Sequence, residues 1–175
     1  MPIDPVYRTP HGLTQELRDL LMIQGNAVLA TINDDGSPHL TELLFLLDEA
    51  DRVLLPTTHS TRKVKNVKAR PVATVFFYEQ PGWVSCTGSV VVLEGVEAAA
   101  ANQRNRDRVL TPEGHQTMGR LLAAHEDNTI VVTPTNWLSW NSDAVIPAIT
   151  ALGGDVEAHP PHTWFKDLTV PSVSE

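Results

Sequence analysis

Along most of this chain, apolar and polar residues alternate in short runs, and clusters of turn-forming residues separate the runs. AVLATIN (27–33) and HLTELLFLLD (39–48) flank DDGSP (34–38). An Asp-Asp-Gly turn between two apolar runs predicts a β-hairpin. DEAD (48–51) turns into RVLLPTT (52–58), a third strand. PVATVFFYE (71–79) and WVSCTGSVVVLEG (83–95), joined by QPG (80–82), predict two more, and NTIVVTPTNWLSW (128–140) a sixth. Gly88, inside the long fifth strand, marks a bulge or a close approach of another backbone.

Helical spacing interrupts this pattern three times. Leu13, Leu17, Leu20 and Leu21 share one face of a helix over 13–25, with Gly25 as its stop. Val64 and Val67 give a short helix one apolar edge. Residues 96–127 are Ala- and Arg-rich, with a Thr-Pro start at 111–112 suited to a helix, and read as a helical insertion. From Asn141 onward, prolines and glycines replace periodicity, which predicts an extended tail packed over the surface or a partner subunit. Six short-turned antiparallel strands with peripheral helices would curl into a small barrel to remove their edges. At 175 residues, one domain over 1–175 accommodates all of this.

Composition narrows the class. The chain is 42% hydrophobic and 19% charged, as in soluble globular proteins. The lone Cys86 excludes an intramolecular disulfide, points to a reducing compartment, and sits in a strand-like run as a small core residue. The longest apolar runs, such as LLFLL (43–47), are far too short to span a bilayer, and MPIDPVYRTPHG lacks a signal-peptide core. A soluble, cytoplasmic protein is expected, with no membrane partner. No GxGxxG, Walker loop or zinc-type Cys/His spacing is present, so no metal site is expected. HPPH (159–162) reads as a proline-rich surface turn. Ser60 and Lys63 fit SxxK, but the partner motifs SDN and KTG are missing and the chain is short for that fold.

One stretch stands apart. THSTRKVKNVKARP (58–71) holds five of the 13 Lys and Arg residues, in a protein of net charge −8. With Ser60 as N-cap, Thr61, Arg62 and Lys63 would form the first helical turn. Cations there oppose the helix dipole unless an anion is bound. A phosphate would reverse the sign, meeting N–H groups, hydroxyls and two cations at one point. The competing reading is an ordinary solvated basic helix. The acidic balance and the lack of interleaved aromatics argue against nucleic acid.

The ordered set AVLATINDDGSPHLTELLFLLD, RVLLPTTHSTRKVKNVKARPVATVFF and GWVSCTGSVVVLEG resembles the pyridoxamine 5′-phosphate oxidase-like split-barrel superfamily. Within it, the set is most similar to the flavin/deazaflavin oxidoreductases of actinobacteria, a branch with members using coenzyme F-420. The resemblance implies a mostly β, antiparallel split β-barrel of the FMN-binding type. It also implies a homodimer with cofactor sites at the interface. The cofactor phosphate would lie against Thr58–Lys63, where Lys63 matches the family lysine and Arg62 stands beside it, and the ring along Leu54–Thr58. The cofactor-binding candidates are therefore Thr57, Thr58, His59, Ser60, Thr61, Arg62 and Lys63. Trp83 matches an aromatic position near the site in some relatives, and Trp140 would cover the ring.

One departure bears on the cofactor. The family often carries Arg or Lys on its second and third strands for the phosphate of FMN, and HLTELLFLLD offers Glu42 and no cation. That favours the deazaflavin coenzyme, whose acidic tail Lys65, Lys68 and Arg70 would meet. The implied function is hydride transfer between coenzyme F-420 and a small electron-poor organic substrate, with His59 one option for the proton donor and no catalytic residue assigned. The alternatives are an FMN-dependent oxidase or reductase, or a non-catalytic flavin or haem binder.

Overall fold

The structure is a computed structural model that describes residues 7–9, 13–79, 82–141, 145–160 and 163. Its strands are β1 (Tyr7–Thr9), β2 (Asn26–Ile32), β3 (Pro38–Leu44), β4 (Leu46–Leu47), β5 (Val53–Thr57), β6 (Val72–Glu79), β7 (Gly82–Glu94) and β8 (Asn128–Asn141). All pairings are antiparallel, in the order β3-β2-β6-β7-β8-β5-β4, with β1 also on β8. β7 takes one whole edge of β8. The other edge is shared by β5, opposite Asn128–Val132, and β1, opposite Trp137–Ser139. The sheet curls around Leu29, Phe45, Leu55, Val75, Phe77, Ile130 and Val132, all fully buried. This is the mostly β split barrel that the sequence predicts.

Strand alternation places that core. In β2, Ala27, Leu29 and Thr31 point inward while their neighbours face out. HLTELLFLLD divides at Phe45 into β3 and β4, and Phe45 packs edge-on against Phe77 at 4.8 Å between centroids. Gly88 satisfies both of its readings. The β7–β8 register shifts between Thr87 and Gly88, and a Cβ there would stand 2.0 Å from the carbonyl oxygen of Thr133. Cys86 is buried, and burial pushes its thiol up to about 12, so it is an inert core residue.

α1 (Gln15–Met22) is capped by Thr14, which accepts from Leu17 N at 3.2 Å. α2 (Arg62–Ala69) follows β5. The insertion is helical in two parts. α3 (Gly95–Val109) leads to a second run of α4 (Pro112–Gly114), a π-helical turn His115–Gly119 and α5 (Arg120–His125). α3 covers Leu46, Leu54 and Val131 on the outside of the barrel. Its buried Asn102 donates to the carbonyls of Glu126 at 2.8 Å and Asn128 at 3.2 Å, and accepts from Thr129 Oγ1 at 2.6 Å. Arg108 reaches across to the carbonyls of Met22, Gln24 and Phe45, joining α3 to the end of α1.

The tail departs from its expected extended form, since α6 (Ile146–Ala151) forms after Asn141 with Pro147 in its first turn. Part of HPPH, the remaining tail and the Gln80-Pro81 portion of the turn lie outside the described residues. Among those described, no helix is long and apolar enough to cross a membrane.

Candidate functional site

The basic stretch folds as a turn, residues 58–61, followed by α2. Every residue of β5 is buried, so the strand delivers the turn from a rigid base. On α2, Lys63, Val64, Asn66 and Val67 face inward, whereas Arg62, Lys65 and Lys68 face out. The i, i+3 and i+4 spacing of Lys63, Asn66 and Val67 produces that division. Val64 and Val67 seat the helix on the core. Asn66 pins it to the β2–β3 hairpin, donating to Thr31 Oγ1 at 3.0 Å and Asn33 Oδ1 at 3.1 Å.

The helix starts one residue later than expected. Thr61, not Ser60, is the N-cap, with extended backbone and no capping side-chain bond. Its hydroxyl instead donates to the Thr58 carbonyl at 2.9 Å and meets Thr57 Oγ1 at 3.3 Å. Thr58 Oγ1 donates to the carbonyl of His125 at 2.7 Å. The threonine hydroxyl protons are therefore engaged within the protein, and the backbone N–H groups of the first turn carry no side-chain cap. No acidic residue lies in that turn.

Lys63 is 8% exposed. Among the described residues its ammonium has no ion-pair or hydrogen-bond partner, and burial alone pushes it below the usual lysine range. The aliphatic stem is buried while the ammonium tip still reaches solvent, so the charge is partly desolvated and open to an incoming anion. Arg62, beside it, is exposed and lines a cleft of about 580 Å³ with Asn33, Asp34, Asp35 and His39. Two of the three outer cations are already occupied: Lys68 pairs with Glu94 at 2.6 Å and Arg70 with Asp34 at 3.3 Å. This weakens their expected role toward an acidic tail.

His59 is tied to the loop after α5. Its N–H donates to Asp127 Oδ1 at 2.7 Å, and its Nδ1 meets Asp127 Oδ2. Partial burial pushes the Asp127 carboxyl up, but the bonds from His59 outweigh it and hold the group below the usual range. Beside it, Glu126 pairs with Arg106 at 2.7 Å, and burial still pushes its carboxyl up. Glu126 also lines a cavity of about 310 Å³ with Asn26, Glu42, Leu43, Leu44, Pro56 and Leu122. The cavity opens beside Pro56, just ahead of the turn.

A family model described as pyridoxamine 5′-phosphate oxidase matches residues 13–141. The chain belongs to this family. Pyridoxine/pyridoxamine 5′-phosphate oxidase from Myxococcus xanthus is 33% identical over 82 residues, covering 46% of this chain and 39% of that enzyme. The match thus spans about two fifths of the relative's length. Among solved structures, the conserved hypothetical protein Rv2991 from Mycobacterium tuberculosis superposes with a TM-score of 0.64 at 20% identity, covering 79% of this chain and 91% of that one. An F420 reductase superposes at 0.54 and 23% identity, covering 71% and 98%. A haem-binding protein from Mycobacterium smegmatis superposes at 0.53 and 19% identity, covering 69% and 50%. The fold is therefore shared with a protein named as an F420 reductase and with a haem-binding protein.

Of the residues that the family resemblance singles out, Thr57, Thr58, His59, Ser60, Thr61, Arg62 and Lys63 converge at one end of β5. Trp83 and Trp140 do not join them within the chain. They are cross-strand partners far along β7 and β8, twelve residues from the Asn128 end that pairs with Thr57. Asp127 and the Pro56 cavity carry no motif and are visible only in three dimensions. No group of three or more His, Cys, Asp or Glu among the described residues is placed to hold a metal ion.

Proposed function

We propose that this chain is an oxidoreductase that binds coenzyme F-420 and transfers a hydride between it and a small electron-poor organic substrate. The observation that carries this reading is Lys63, a largely buried lysine whose ammonium has no counter-ion among the described residues, at a helix start without a side-chain cap. The site fits a phosphate-bearing cofactor. Lys63, the free N–H groups of the first turn, Arg62 and the exposed Ser60 hydroxyl would hold the anionic part. Thr58 and Thr61 serve instead to shape the turn. Leu43, Leu44, Pro56 and Leu122 would offer an apolar surface for the ring.

The bound deazaflavin supplies the hydride chemistry, and the protein supplies binding, orientation and an apolar wall. No Lys or Arg lies on β2, β3 or β4, and Glu42 lines the cavity, so the FMN phosphate lacks the cations it uses elsewhere in the family. The supporting likeness to an F420 reductase concerns the fold.

A homodimer completes the reading. Ile32 and Leu40, with Phe76 and Tyr78, stand 37–64% exposed on the uncovered outer face of β2, β3 and β6. Trp83 stacks on Phe76 at 6.0 Å on that face, with Trp140 beside it. A second copy packed here would bury this apolar surface and bring the partner's tryptophans toward a cofactor site. The enzymatic reading is tested by mixing the protein and reduced coenzyme with a panel of quinones, enones and tetrapyrroles. Oxidation of the coenzyme by at least one acceptor is expected; binding with no turnover on any acceptor would make the protein a carrier.

A further inference from the structure

The turn before α2 is held by a segment 67 residues or more away in the sequence. Thr58 Oγ1 donates to the carbonyl of His125, and both His59 N and His59 Nδ1 are bonded to the Asp127 carboxylate. The same segment is anchored from beneath, because Asn102 holds the Glu126 carbonyl and Arg106 its carboxylate. A His59 ring whose Nδ1 is engaged leaves Nε2 as the nitrogen open to solvent or ligand, and the side chain is 67% exposed. Lys63 lies four positions after His59, and Arg62 three.

We propose that Asp127 is a positioning residue that clamps the phosphate-binding turn through His59 and thereby sets cofactor affinity. The inference rests on the turn being the cofactor site. One carboxylate holds the turn twice, by the His59 backbone N–H and by its ring, and so fixes the turn that leads into Arg62 and Lys63. Glu94, which interacts with Asp127, is itself bonded to Lys68, and His125 holds the turn through its backbone carbonyl.

Asp127→Asn keeps a single acceptor oxygen and cannot accept from both His59 nitrogens, so it loosens the turn. Asp127→Glu keeps both acceptor oxygens. His59→Gln removes the ring half of the clamp and leaves the backbone half.

The experiment is a fluorescence titration of the protein with oxidised coenzyme F-420 for the native chain, Asp127→Asn, Asp127→Glu and His59→Gln. The backbone amide signals of residues 58–63 are compared by NMR in the ligand-free proteins. The expected results are a several-fold weaker affinity with displaced turn amides in Asp127→Asn, partial recovery of both in Asp127→Glu, and an intermediate loss in His59→Gln. Native affinity in Asp127→Asn, or turn amides that it leaves unmoved, would overturn the clamp. Should F-420 fail to bind the native chain, the cofactor assignment itself would fall, and the amide signals would still report whether Asp127 holds the turn.

Discussion

Asn66 Nδ2 donates to Thr31 Oγ1 at 3.0 Å, and that bond decides which face of α2 meets the barrel. Asn66 and Lys63 share this face, so the bond that seats the helix also draws the ammonium inward. Asn66→Ala removes it together with the bond to Asn33. A loss of about 1–3 kcal/mol in unfolding free energy is expected, the range for leaving buried polar partners unmet. Urea denaturation measures it, and F-420 affinity should fall in parallel because Lys63 loses its fixed position.

Lys63→Met should have the opposite effect on stability. It removes an unpaired, partly desolvated charge and should stabilise the ligand-free protein at neutral pH, by no more than about 1 kcal/mol because the ammonium still reaches solvent. Burial sets the folded-state pKa of Lys63 below its unfolded value. The unfolded chain therefore binds more protons in the window between the two, and native stability rises with pH across it. The advantage of the Met variant should narrow toward pH 10. Denaturation at pH 7 and pH 10 checks both the gain and its decline.

Gly88→Ala tests the closest approach in the sheet. Its Cβ would meet the Thr133 carbonyl oxygen at 2.0 Å and the Cα of Pro134 at 2.7 Å. Both are backbone atoms and cannot rotate away. The change should destabilise the protein by about 1–3 kcal/mol or more, measured as a fall in melting temperature.

The exposed outer face predicts the oligomeric state. Light scattering after gel filtration should give a dimer for the native chain. Leu40→Asp, at a position 64% exposed in the single chain, should shift the protein to monomer while leaving its far-ultraviolet circular dichroism unchanged. A native monomer would remove the interface and with it the role of Trp83 and Trp140.

Much of the barrel was legible because strand alternation and turn chemistry are local. DDGSP marked the β2–β3 turn, where Gly36 has a φ of 85°, and Gly88 marked the β7 bulge. The helix start was legible from charge placement, but its N-cap was not. Ser60 and Thr61 are both good caps, and the choice depends on the bond from Thr61 to the Thr58 carbonyl. Asp127 was invisible for a different reason. Its contact with His59 joins residues 68 apart, and no local periodicity encodes a pairing made by the sheet's closure. The tail helix α6 escaped notice because six residues are too few to establish a period.

The central claim is that Lys63, at the start of α2, binds the phosphate of a deazaflavin cofactor. Its most direct test is a parallel titration of the native protein and Lys63→Ala with coenzyme F-420 and with FMN, followed by fluorescence. Saturable F-420 binding, tighter than that of FMN, is predicted for the native chain. Lys63→Ala should weaken it by about 1.5–3 kcal/mol, roughly ten- to hundredfold. F-420 affinity unchanged by Lys63→Ala, or native protein that binds FMN in preference to F-420, would contradict the account.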